Sequence, residues 1–182
     1  MRKLNLSFVL VAVILGLAVV PASSQTGMRQ FRANLRGINE VGGGIGAVST
    51  VAKGTFRATL SEDGTTLSYV LHYEGLEGDI TQSHIHVGQR HTAGGISVWL
   101  CQTAGTPAPV DVAAITPFCP DPRSGVVEGT LTEANVIGPA NSGVDKNEFA
   151  ELVRLMRSRV TYANVHSVKF PGGEIRGQIR ED

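Results

Sequence analysis

The chain has little of what most function classes require. Its 182 residues include 2 cysteines, 1 tryptophan and only 5% aromatics. Lysine plus arginine, 16, balances aspartate plus glutamate, 16, and no basic run stands out. That balance argues against a nucleic-acid partner and against a polybasic membrane patch. The cysteines, Cys101 and Cys119, are far from the Cys-x-x-Cys spacing of a redox dithiol. No Ser-His-Asp order, phosphate loop or paired-carboxylate site stands out. Beyond Val20 no segment is apolar enough to span a bilayer, and no internal repeat or second domain is visible.

What is present begins with an export signal. Arg2 and Lys3 precede an almost unbroken apolar stretch, Leu6 to Val20, and small residues follow at Ala22 and Ser24. This three-part pattern predicts a signal peptide over 1–24, cleaved before Gln25, with an uncleaved anchor as the alternative. Cysteine is missing near the cleavage site, which disfavours a bacterial-type lipid anchor. The remainder, 25–182, is one domain's worth of chain, expected to be periplasmic or secreted and free of the membrane after cleavage. In that setting Cys101 and Cys119 form a disulfide across a loop rich in Ala, Thr and Pro. Loop-closure entropy gives such a staple about 3 kcal/mol.

The rest reads as short strands between turn signals. Phe31, Ala33 and Leu35 alternate with polar residues, as do Phe56, Ala58 and Leu60. Gly42-Gly43-Gly44 marks a loop, and Glu62-Asp63-Gly64 a hairpin turn. Leu67, Tyr69, Leu71 and Tyr73 then share one face, with His72 opposite as an ordinary surface histidine. Further strands follow around His84 to Val87, Ile96 to Leu100, Gly125 to Thr132, Val160 to Ser167 and Glu174 to Arg180. One segment has helical spacing: Phe149, Leu152, Val153 and Met156, behind a capping box of Asp145 and Glu148. It predicts one short helix over 146–157. The whole predicts an all-β protein, a Greek-key β-sandwich of the immunoglobulin or superoxide-dismutase type.

Within this pattern Ser83-His84-Ile85-His86-Val87-Gly88 carries the most chemistry. On a strand, positions i and i+2 face the same way, about 7 Å apart at Cα. One ion bound at about 2 Å by each imidazole bridges that gap. A helix would point the two rings apart.

Several motifs resemble the CHRD domain, the module named after chordin and also found in exported bacterial proteins. They are Phe31 to Gly37 with Asn39-Glu40-Val41, Gly54, Leu67-Ser68-Tyr69, Tyr73-Glu74-Gly75-Leu76 and the His84–His86 segment. The most specific is Tyr162-Ala163-Asn164-Val165-His166-Ser167 followed by Pro171-Gly172-Gly173-Glu174-Ile175-Arg176-Gly177-Gln178. Departures are Gly42-Gly43 where Pro-Pro is usual, Ala163 for Val and Ser167 for Thr. The resemblance implies an extracellular or periplasmic β-sandwich and no established catalytic activity.

His84, His86 and His166 lie in the two best-matched motifs. If their strands are neighbours, three imidazoles converge on a site suited to copper or zinc, with His91 as a candidate fourth ligand. The competing reading is that these rings make structural hydrogen bonds. Glu174 and Arg176 share a strand face and are expected to pair with each other or with a neighbour. The function expected is a non-enzymatic binding or interaction module, with a protein, a cell-envelope component or a metal as partner. The alternative is a copper/zinc metalloprotein with superoxide-dismutase-like activity; the second histidine cluster and aspartate of those enzymes are not evident.

Overall fold

Alternation between buried and exposed residues sets the strands. In β1 (Arg29–Arg36), Phe31, Ala33 and Leu35 are buried and the residues between them are exposed. The same pattern runs through β2 (Lys53–Leu60) and β3 (Leu67–Glu74). There follow β4 (Ile80–Val87), β5 (Gly95–Cys101), β6 (Gly125–Leu131), β7 (Thr161–Ser167), β8 (Ile175–Gln178) and β9 (Arg180–Glu181). The computed structural model describes residues 28–41 and 46–182. The expected signal peptide and Gly42 to Gly44 lie outside the described residues. Every strand segment read from the sequence is present, the last divided at Ile179 into β8 and β9.

The all-β expectation holds. The strands form one 9-stranded sheet in the order β5-β4-β7-β8-β1-β2-β3-β6, with β9 beside β1. β8 meets β1 at one registered pair, Arg36 opposite Arg176. This narrow seam joins two halves, β5-β4-β7-β8 and β1-β2-β3-β6. The far sides also approach each other: the Tyr69 hydroxyl on β3, next to the last strand β6, donates to the Leu100 carbonyl on β5 at 2.6 Å. The sandwich is thus a nearly closed, barrel-like sheet. Its interior holds Phe31, Phe56, Leu71, Ile85, Val165 and Ile175. Full burial of such side chains contributes about 1.5–3 kcal/mol each.

The helical expectations need two corrections. The helix, α2 (Phe149–Arg157), begins three residues later than predicted. The Glu148 carboxylate does accept the Asp145 N–H at 2.8 Å. Asn147, however, takes a left-handed φ of 69°, which interrupts any helix through it. The four apolar residues still face inward. A second, one-turn helix, α1 (Val110–Ala113), sits in the loop closed by Cys101 and Cys119. That loop's composition carries no helical period to announce it. Among the described residues no helix is long and apolar enough to cross a membrane.

Candidate metal centre

Strand register builds the site. β4 pairs with β7 so that His84 lies opposite Asn164, His86 opposite Tyr162, and Gln82 opposite His166. β7 pairs with β8, placing Arg176 opposite Asn164. Ile85, Ala163, Val165 and Ile175 point from these strands into the core. The histidines therefore occupy the outer face of the same strands. They are nonetheless buried: His84 is 0% exposed, His86 and His166 8% each.

A second apolar cluster covers that outer face. Trp99, Ala108 and Val112 are buried there with Ile96, Ala113 and Ile137 against them. Trp99 packs edge-on to His84, ring centroids 4.3 Å apart. Simple alternation would put Ile96 and Trp99 on opposite faces. Register shifts in the β4–β5 ladder let Ile96 pair with His86 and Trp99 with His84, so both reach the outer side. Val112 belongs to α1, so the stapled loop contributes to this cover.

The three imidazoles converge. One nitrogen from each of His84, His86 and His166 lies within 4.8 Å of the other two. Two rings have their far nitrogens fixed. Nδ1 of His86 donates to the Gly94 carbonyl at 2.9 Å, and Nδ1 of His166 to the Pro171 carbonyl at 2.9 Å. These bonds set the tautomer and leave each Nε2 as a bare acceptor. Both Nε2 atoms are buried without a hydrogen-bond partner, as are both ring nitrogens of His84. The structural reading accounts for the Nδ1 bonds of His86 and His166; both Nε2 atoms and the His84 ring stand outside it.

Electrostatics favour the same state. Burial pushes His84 well below its usual range, aided by the nearby His166 and His86. Burial lowers His86 to about 4, against the raising effect of the Gly94 carbonyl. Burial also lowers His166, opposed by its bond to Pro171. Neutral imidazole is the form that ligates a cation. The donor set, three neutral nitrogens with orphaned lone pairs, could hold a metal ion.

Around the triad the motif residues hold one another. His86 stacks on Tyr162, and the Tyr162 hydroxyl accepts the Gly94 N–H at 3.1 Å. The Arg176 guanidinium lies 3.3 Å from the same ring centroid and donates to the Thr92 and Gln89 carbonyls. Asn164 donates its amide to the buried Glu40. Gly173 lies against that pair with a φ of 122°; a Cβ there would stand 2.6 Å from Asn164 Nδ2. Gly94 approaches more closely still, since its Cβ would be 1.7 Å from the Val87 carbonyl oxygen.

Sequence reasoning missed Trp99, Glu40 and the stacking role of Arg176. Glu174 and Arg176 do not pair with each other; each meets groups of the neighbouring strand β7 instead. Glu174 precedes β8, is fully buried, and accepts from Ser167, Thr50 and the Glu77 N–H at 2.6–2.9 Å. His91 lies in the exposed β4–β5 loop at a φ of 65°, outside the cluster of three. His72 is half-buried on β3 and likewise outside it.

Fold and site together define a class: an all-β protein with a buried histidine triad on the outer face of its sheet. The chain belongs to the CHRD family. The profile of the CHRD domain matches residues 31–179, a range that includes every residue of the triad and its surrounding motif. No curated protein matches the chain.

Proposed function

We propose that this protein is an exported, non-enzymatic binding module whose His84, His86 and His166 hold one copper or zinc ion. One observation carries the reading: three buried imidazoles turn unpartnered nitrogens toward one another. Unsatisfied buried acceptors cost about 1–3 kcal/mol each, and an ion removes that cost at several at once. The ion's Lewis acidity is the chemistry it would supply. Exposure of 8% or less at every ligand supports tenure over turnover. The Cys101–Cys119 bond supports an oxidising compartment.

The test is metal content. Purified protein, reconstituted with copper or zinc and desalted, should carry one equivalent by elemental analysis. His84→Ala and His86→Ala should each lose it. Sub-stoichiometric metal in the parent would sink the reading. Superoxide turnover by the copper form would replace a binding module with a redox enzyme.

A further inference from the structure

Beside the triad, on the far side of the Tyr162–Arg176 stack, lies a cavity of about 390 Å³. That is the size of a small-molecule site. Arg36, Arg90, His91, Arg159, Arg176 and Arg180 line it together with side-chain amides, and no carboxylate does. These residues come from β1, the β4–β5 loop, the turn before β7, β8 and β9. The pairing of β4, β7, β8, β1 and β9 as successive neighbours brings them to one place.

Positive charge outweighs negative here: the buried Glu40 favours the charged form of Arg176, but no carboxylate lines the cavity itself. The seam between β1 and β8 sets Arg36 directly opposite Arg176. Like charges opposed across strands are destabilising. On the neighbouring part of β1, Arg29 pairs with Glu181 and Arg32 with Asp182. Among the described residues no carboxylate pairs with Arg36, Arg90, Arg159 or Arg180.

The backbone is also strained at this cavity. Among the described residues the non-glycine residues at positive φ are His91 (65°), Asn147 (69°) and Arg159 (59°). His91 and Arg159 line the cavity; the φ of Arg159 belongs to the end of α2, where its N–H bonds to Met156 and that of Val160 to Leu155, so the strain is that of His91. Strain of this kind persists where surrounding structure imposes it, and it clusters at ligand sites. Arg176 imposes part of it: its guanidinium grips the carbonyls of Gln89 and Thr92, which bracket Arg90 and His91. Arg176 is thus a positioning residue that presents the loop.

We propose that this cavity binds a compact oxyanion of the phosphate or sulfate type, free or as the head group of an ester. Guanidinium forks match such oxygens in pairs, and the amides supply neutral donors. The site is distinct from the metal centre and does not depend on it.

The test is calorimetric titration of the purified protein with sodium phosphate, sodium sulfate and glycerol 3-phosphate, against sodium chloride at equal ionic strength. Saturable one-to-one binding of an oxyanion is expected, with none for chloride. Preference for glycerol 3-phosphate over inorganic phosphate would identify an ester as the source. The exposed triple change Arg36→Gln, Arg90→Gln, Arg180→Gln should weaken binding at least tenfold, since a hydrogen bond to charge is worth about that factor. Its melting temperature in chloride should be no lower than the parent's; if it is, the three single changes replace it, and each should weaken binding. Heats that match chloride would overturn the proposal, as would binding that survives the substitutions.

Discussion

The imidazole of His86 lies flat on the phenol ring of Tyr162, with centroids 4.7 Å apart and planes 1° from parallel. Their strands set them opposite each other in the ladder, so the stack is a product of register. Arg176 reaches the same phenol from β8, the strand on the other side of β7. One ring therefore separates the histidine triad from the arginine cavity and orients a residue of each.

Tyr162→Leu should loosen the metal centre without removing a ligand. Residues that orient metal ligands change affinity by about 10–100-fold. Competition against a chelator should show a loss near the lower figure. Tyr162→Phe keeps the stack and loses only the bond from Gly94, so it should fall between parent and Tyr162→Leu.

His84→Leu should separate a ligand from a structural histidine. Both nitrogens of His84 are buried and unpartnered. Replacing the ring by an apolar side chain should leave metal-free stability in urea unchanged or higher by about 1 kcal/mol. Metal-dependent stabilisation should vanish in the same variant. A metal-free protein that loses about 2 kcal/mol or more would mean that the ring is held by bonds of its own.

Metal-free stability should fall with acid. The triad's folded pKa values are all depressed, His86 to about 4 from 6.5. Above pH 6.5 folded and unfolded rings are both neutral, and there is no penalty. Between there and pH 4 the unfolded state binds protons that the folded state refuses, so stability drops as pH falls. His86 alone accounts for about 3 kcal/mol across that window. Urea denaturation at pH 7, 5.5 and 4.5 checks the sign, and His86→Leu should flatten the slope.

Gly173→Ala should destabilise by about 2 kcal/mol or more. Its φ of 122° suits glycine, and the added methyl would meet Asn164 and Glu40 within 2.8 Å. Thermal melting of the variant measures the loss. Asn164→Ala combined with Gly173→Ala should recover part of it, because the nearest obstacle is then removed.

Breaking the staple should reach the metal centre. Cys101 and Cys119 bond with Cα atoms 5.1 Å apart, closing the loop that carries α1. Replacing both by serine should lower stability by about 3 kcal/mol. It should also weaken metal binding, because Val112 of that loop backs Trp99, which packs on His84. Tryptophan fluorescence should shift to the red as Trp99 gains water.

Much of this was legible in the alternation of the chain. Period two identified the inward face of β3 and placed His84 with His86, and Tyr162 with Asn164 and His166. The neighbouring of β4 and β7 was not legible, because their pairing spans some eighty residues and depends on how the whole sheet closes. Trp99 was missed for a local reason: the ladder shifts beside it, and a shifted register moves a side chain to the opposite face. Spacing alone left open whether Glu174 and Arg176 pair with each other or with a neighbour. Their actual partners are spread from Ser167, 7 residues before Glu174, to Thr50, 124 residues before it, and spacing carries no trace of the latter. The arginine cavity had no sequence signal, since its residues are scattered from Arg36 to Arg180.

Placing the histidines on the reverse side of core-forming strands has a consequence for change over time. Ile85, Ala163 and Val165 keep the fold, while His84, Tyr162 and His166 keep the site, and the two sets interleave residue by residue. A lineage could exchange the outward set and still inherit a folded protein. The scaffold is therefore separable from its ligand chemistry, and a different triad could be written onto the same strands without rebuilding what lies beneath.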